Sequence, residues 1–229
     1  MLEELKRRVS AANRDLPKTG LVTLTWGNVS GIDRQAGLVV IKPSGVHYDQ
    51  LQPECMVVVD LEGRVVEGGL RPSSDTPTHL VLYRAFDSIG GVAHTHSRHA
   101  TMFAQARREI PCLGTTHADH FYGPVPVTRP LNAAEVAEDY EGCTGRLIVE
   151  RFRGLDPEGM PAVLVAGHAP FTWGVSAEKA LDNSIALEAV AEMVLGAWSI
   201  DPSAPVLEPW VLDKHYQRKH GPTAYYGQG

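Results

Sequence analysis

The chain has 229 residues, 43% hydrophobic and 21% charged, with 21 Lys and Arg against 27 Asp and Glu for a formal net charge of −6. This composition excludes a mainly disordered chain, and the acidic balance speaks against nucleic acid as a partner, since binding to a phosphate backbone would work against the chain's own field. The longest apolar runs, such as Leu38 to Ile41 and Met56 to Val59, fall far short of the ~18 residues of a membrane span, so no membrane association is expected.

The opening MLEELKRRVSAAN mixes Glu with Lys and Arg and lacks the apolar centre of a secretory signal, which makes the cytoplasm the expected address. Cys55, Cys112 and Cys143 are odd in number and widely spaced. They make neither a disulfide framework nor a Cys-x-x-Cys knuckle and read as buried or incidental thiols.

Leu2, Leu5, Val9, Ala12 and Leu16 recur at steps of three and four among charged residues, the stripe of an amphipathic helix that Pro17 and Gly20 end. From Val22 to Val66 the runs LVTLTW, GLVVIKP, MVVVDL and RVVEG, separated by Gly, Pro and Asp, predict short half-buried strands, with a hairpin turn at Leu61-Glu62-Gly63. Ser73, Ser74 and Asp75 before Thr76-Pro77 predict a helix start, with Asp75 at or near the N-terminus and the helix continuing from His79 to Phe86. Ile89 to His96 reads as a strand introduced by Gly90-Gly91, and Arg98 to Arg107 as a helix.

Arg146 to Phe152 and Ala162 to Val165 read as strands, the second ending at Gly167-His168-Ala169-Pro170. Ser176 is placed to cap a long helix through Ala197 whose apolar side includes Ile185, Ala189, Met193 and Ala197. Pro202, Pro205 and Pro209 lead into the polar tail LDKHYQRKHGPTAYYGQG, which either frays or docks over a site on a neighbouring subunit and presents a phenol. With no repeat and no break in composition, residues 1–229 form a single α/β or α+β domain around a buried sheet. No G-x-G-x-x-G follows a strand and no Walker loop occurs, so nothing points to a nucleotide cofactor.

His94-Thr95-His96 ends a predicted strand, where side chains at i and i+2 share a face. Two imidazoles on one face suit a metal, and a catalytic zinc site takes three protein ligands with one position open. His168, in a turn after another β-rich run, is the best third ligand, and Asp75 is either a fourth or an acceptor that fixes an imidazole tautomer. The alternative is that the pair decorates a strand and bonds to backbone, and the spacing does not choose among zinc, copper, nickel and iron.

Three polar turns, Gly27-Asn28, Lys42-Pro43-Ser44-Gly45 and Ser73-Ser74, carry N–H groups, hydroxyls and a lysine suited to a phosphate, or are ordinary caps and turns. Asp119, between His117 and His120 in GTTHADHFYG, is either a general acid/base or a residue that caps its own loop.

Taken together, LVTLTWGNVS, VIKPSGV, PSSDTPTH, HTHSRHAT, GTTHAD, HAPFTWG and the terminal DKHYQRKHG with AYYGQ resemble the sugar-phosphate 4-epimerases of the class II aldolase and adducin-head family, nearly end to end. The resemblance implies a mainly antiparallel central sheet covered by helices in three α/β/α layers, and a homotetramer with sites between subunits. It implies one Zn2+ per subunit on His94, His96 and His168 with Asp75. It implies substrate binding by Gly27, Asn28, Lys42, Ser44, Gly45, Ser73 and Ser74, with His215 and Arg218 reaching a neighbour's site, and Asp119 and Tyr226 as the acid/base pair.

The activity implied is epimerisation of L-ribulose 5-phosphate to D-xylulose 5-phosphate through cleavage and remaking of the C3 to C4 bond, in L-arabinose catabolism. Related aldolases generally carry Glu where this chain has Asp75 and lack the Tyr-Tyr-Gly tail, which favours the epimerase. The alternatives are an aldolase or dehydratase on a related sugar phosphate, and a metal-free binding module of the same fold.

Overall fold

In a computed structural model, which describes residues 2–222, 224 and 225, seven strands form one antiparallel sheet in the order β4-β3-β2-β1-β5-β7-β6. The strands are β1 (Gly27–Asp33), β2 (Leu38–Ile41), β3 (Val57–Asp60), β4 (Val65–Glu67), β5 (Gly91–Thr95), β6 (Ala162–Leu164) and β7 (Pro170–Gly174). Alternation along the central strands divides the core in two. Val39, Ile41, Val57, Val59, Val92 and Phe171 enter one cluster, while Val29, Val40, Val58 and Ala93 enter the other. Both faces are therefore covered, as the near-continuous apolar strands require.

Helix α1 (Leu2–Asp15) covers the second face. Its buried Asn13 donates to the Val29 carbonyl and accepts from the Val29 N–H, both at 2.8 Å. Helices α2 (Thr76–Ala85), α3 (Arg98–Ala106) and α5 (Ala133–Arg151) pack on the first face. The long α6 (Ala177–Ile200) contributes to both clusters, α4 (Thr115–Ala118) is a single turn, and α7 (Pro209–His220) closes the chain. Arg34 ends α2 by donating to the Tyr83, Phe86 and Ile89 carbonyls. Gly91 lies so close to the Ser176 backbone that a β-carbon would come within 2.3 Å of the Ser176 carbonyl oxygen.

Four expectations are corrected. LVTLTW is no strand: Leu24 adopts φ 53° with its side chain in solvent, the Trp26 N–H closes a turn on Thr23, and pairing starts only at Gly27. Arg146 to Phe152 is the end of α5, where Cys143, Leu147 and Ile148 face inward at helical spacing. On α6 the buried side is Ala180, Leu187, Val190, Ala191 and Val194, whereas Ile185 and Met193 face outward. The tail is not frayed up to His220: Pro209 starts α7 in the first turn, where its missing N–H costs nothing. Ser176 caps α6 as expected, accepting from the Lys179 N–H at 3.2 Å.

Candidate active site

Antiparallel register assembles the site. Asn28 on β1 stands opposite His94 on β5, and His94 stands opposite Phe171 on β7. The Phe171 ring stacks on the His94 imidazole at 4.2 Å between centroids. His94 and His96, two residues apart, then emerge on one face, and the turn between β6 and β7 brings His168 to the same place.

The His94 Nε2 lies 3.2 Å from the Nε2 of His96 and 3.2 Å from that of His168. Tetrahedral coordination at ~2.0 to 2.1 Å holds neighbouring nitrogens about 3.3 Å apart, so the donor set fits one divalent ion. The His94 Nδ1–H donates to the Pro170 carbonyl at 2.9 Å, which leaves the Nε2 lone pair for a metal. The Tyr140 hydroxyl approaches the outer nitrogen of His168 at 3.4 Å.

Burial, and then the neighbouring imidazoles, lower the pKa of His96 and of His168 to about 4, so both rings are neutral at pH 7. Asp75 occupies the N-cap position of α2 in the same cavity, without a side-chain capping bond, and is not one of the three groups that converge. Burial pushes its carboxyl upward, yet the imidazoles of His94 and His79 and the Asn28 amide outweigh this and hold it below the usual carboxylate range.

The three polar turns line one cavity of about 560 Å³ with the triad, bringing Gly27, Asn28, Lys42, Ser44, Gly45, Ser73, Ser74, Asp75, His94, His96 and His168 together. The turns are tied to one another. The Ser44 N–H donates to Arg71, the Ser73 N–H donates to Lys42, and the Asn28 amide donates to Ser73 at 3.1 Å and to Asp75 at 2.6 Å.

Gly27 adopts φ 116°, and a β-carbon there would meet the His94 carbonyl oxygen at 2.9 Å. Lys42 is 2% exposed, with its ammonium on the Pro43 carbonyl at 3.3 Å and 5.1 Å from the centre of the Tyr48 ring. Burial lowers its pKa to about 8, against a partial opposing pull from Asp75. A buried cation with no carboxylate at hydrogen-bond distance among the described residues is suited to an anionic ligand.

Asp119 does not line this cavity. It follows α4, where it accepts from His215 at 3.1 Å and from Arg218 at 2.7 Å, with Lys219 at 3.6 Å. Its carboxyl, pushed up by burial, is brought down further by the Arg218 and His215 hydrogen bonds. His215 and Arg218 of α7 thus join Asp119 in a second cluster at the end of α4. Tyr226 lies outside the described residues. His117 serves the α4 turn, its Nε2 donating to the Gly123 carbonyl at 2.8 Å.

Sequence reasoning missed Tyr140 and Glu141, which also line the cavity. They follow a break in α5 at Asp139, whose backbone is extended and whose carboxylate accepts the Gly142 N–H at 3.0 Å. Two sequence signals mark this helix. One is the capping box Asn132-x-x-Glu135, and the other is the internal cap Asp139-x-x-Gly142.

Over 227 residues, 99% of this chain and 100% of the relative, the sequence is 53% identical to L-ribulose-5-phosphate 4-epimerase UlaF of Salmonella paratyphi C. An L-fuculose 1-phosphate aldolase structure superposes with a TM-score of 0.80 at 25% identity, over 94% of this chain and 95% of that one. The L-fuculose-1-phosphate aldolase of Thermus thermophilus shares the fold at 24% identity, with a TM-score of 0.70 over 88% of this chain and 99% of that one. Residues 7–195, which hold every strand, all three converging histidines and the polar turns, match the Class II Aldolase and Adducin N-terminal domain, and it is to this family that the chain belongs.

Proposed function

We propose that the protein is an L-ribulose-5-phosphate 4-epimerase, an isomerase that forms D-xylulose 5-phosphate and serves L-arabinose catabolism in the cytoplasm. The observation that carries the reading is that three tied polar turns with a buried lysine, suited to a phosphate, share one cavity with three converging imidazoles. The full-length 53% identity to a relative of that name supports the substrate.

C4 of the sugar is not adjacent to the carbonyl, so its proton is not acidic and deprotonation cannot invert it. Breaking the C3 to C4 bond can, by giving a three-carbon enediolate and glycolaldehyde phosphate. The aldehyde then turns and is attacked on its other face. His94, His96 and His168 would hold a divalent ion, zinc in this reading, with Asp75 beside it. When bound, that ion supplies Lewis-acid stabilisation of the charge that develops as the bond breaks.

Asn28, Ser44, Gly45, Ser73, Ser74 and Lys42 would keep the phosphate in place while the aldehyde turns, so the fragments recombine without escaping. A proton must be taken from the C4 hydroxyl on one face and returned on the other, and Asp119 and Tyr226 are the pair assigned to this. Asp119 lies apart from the cavity within one chain, which fits a homotetramer whose sites are completed by a neighbour's Asp119, His215, Arg218 and Tyr226.

The test is metal content together with conversion of L-ribulose 5-phosphate before and after chelation. One zinc per chain with chelator-sensitive conversion is expected, and conversion that survives complete metal removal would sink the reading. A second reading, aldol cleavage with release of the aldehyde, is favoured by the likeness to L-fuculose 1-phosphate aldolase. Glycolaldehyde phosphate accumulating at the turnover rate would select it.

A further inference from the structure

Helix α3 begins two residues after His96, and among the described residues the side chain of its N-cap residue, Ser97, makes no capping hydrogen bond. A helix leaves its first N–H groups without internal partners. Here two of them are satisfied from another helix. Glu188, midway along α6, accepts from the His99 N–H at 2.9 and 3.1 Å and from the Ala100 N–H at 3.0 Å, and its Oε1 also lies 2.9 Å from the His99 Nδ1. The Glu188 side chain is 18% exposed, and its charge suits the positive end of α3.

The far end of α3 touches the other part of the triad. The Ala104 carbonyl accepts the Gly167 N–H at 2.8 Å, and Gly167 immediately precedes His168. One short helix therefore spans from the backbone that carries His94 and His96 to the backbone that carries His168. Its own cap comes from α6, which packs on β5 and β7. We propose that Glu188 is a positioning residue for the imidazole triad: by pinning the start of α3 to α6, it sets the separation of His96 and His168. This rests on the metal-site reading given above, and neither the His-x-His spacing nor the polar turns single out Glu188.

The test compares the metal-free wild-type protein with Glu188→Ala and Glu188→Gln. Each is titrated with Co(II), following the visible d–d absorption and fixing affinity by competition with a chelator, and each is melted without metal to report folding. Glu188→Ala is expected to bind cobalt about tenfold or more weakly, with altered band intensity, since residues that orient ligands typically carry this much affinity. Glu188→Gln keeps an oxygen for the backbone N–H groups and is expected to recover part of the loss.

Wild-type affinity and spectrum in both variants, with only the melting temperature lowered, would overturn the proposal and leave Glu188 a helix cap. If Glu188→Ala does not fold, Glu188→Gln decides: a weakened site supports the role, and an unchanged one overturns it. A wild-type chain that takes up no cobalt would overturn the metal-site reading and this proposal with it.

Discussion

Asn28 faces His94 across the β1–β5 pair while its amide nitrogen donates to the Asp75 carboxylate at 2.6 Å, so one side chain joins the polar turns to the converging imidazoles. A hydrogen bond to a charged group contributes about 1.5 to 3 kcal/mol. Asn28→Ala is expected to lower kcat/KM about 10- to 100-fold with metal content unchanged. Steady-state kinetics beside elemental analysis check this, and an unchanged kcat/KM would remove Asn28 from the binding machinery.

Gly27 has a backbone that side chains rarely adopt, and a β-carbon would press on the His94 carbonyl oxygen and on Val22. Gly27→Ala is expected to destabilise the fold by about 1 to 3 kcal/mol. Chemical denaturation reads the change directly. A variant as stable as wild type would mean that β1 relaxes at little cost.

Lys42 is held at about pKa 8 by burial, against an ordinary value of 10.5. Between those values the unfolded chain keeps a proton that the folded chain has released, so the stability of the ligand-free protein rises with pH across this window. Phosphate affinity moves the other way, because the ammonium is lost above about pH 8. Lys42→Met is expected to reduce kcat/KM at least tenfold and to flatten its decline on the alkaline side. A wild-type alkaline limb in the variant would assign that limb to another group.

Burial lowers His96, His117 and His168 to about 4 and His79 to about 3. Between about 4 and the ordinary 6.5 the unfolded chain binds more protons than the folded one. Stability therefore falls as pH drops through that window, by up to about 3 kcal/mol for each ring that stays neutral, since each tenfold loss of proton affinity in one ring corresponds to about 1.4 kcal/mol. Urea midpoints of the metal-free protein from about pH 7 to pH 4 measure it. A flat profile would mean that the four rings do not stay neutral in the fold.

Tyr226→Phe removes only a phenolic proton and is expected to reduce epimerisation about 10²- to 10⁴-fold with metal and folding intact. Asp119→Asn should do the same and also loosen α7, because the Arg218 and His215 contacts converge on that carboxylate. Turnover with limited proteolysis of the tail separates the two effects. Full activity in Tyr226→Phe would exclude the phenol as proton donor.

The pairing of His94 with His96 and the polar turns could be read from sequence because each is a local pattern. His94 and His96 are two residues apart on a strand, and the turns announce themselves through Gly, Ser and Pro. Tyr140 and Glu141 could not, since the break at Asp139 aims them and the following RLIVERF has the aliphatic content of a strand. Helix α6 gave the right element and the wrong face: nearly apolar all round, it offers more than one stripe, and only packing selects among them. The single-chain position of Asp119 was equally hidden, because its partners lie about a hundred residues away on α7.

The converging histidines also bear on how the chain comes apart. His94 and His168 are 74 positions apart, with α3, α4, α5 and β6 between them. An ion held by both acts as a reversible cross-link that closes this long segment into a ring. By loop-closure entropy such a ring removes about 4 kcal/mol of freedom from an unfolded chain that keeps it closed. With such an ion bound, chelation would open the ring, and the middle third of the polypeptide would gain the most freedom to unravel.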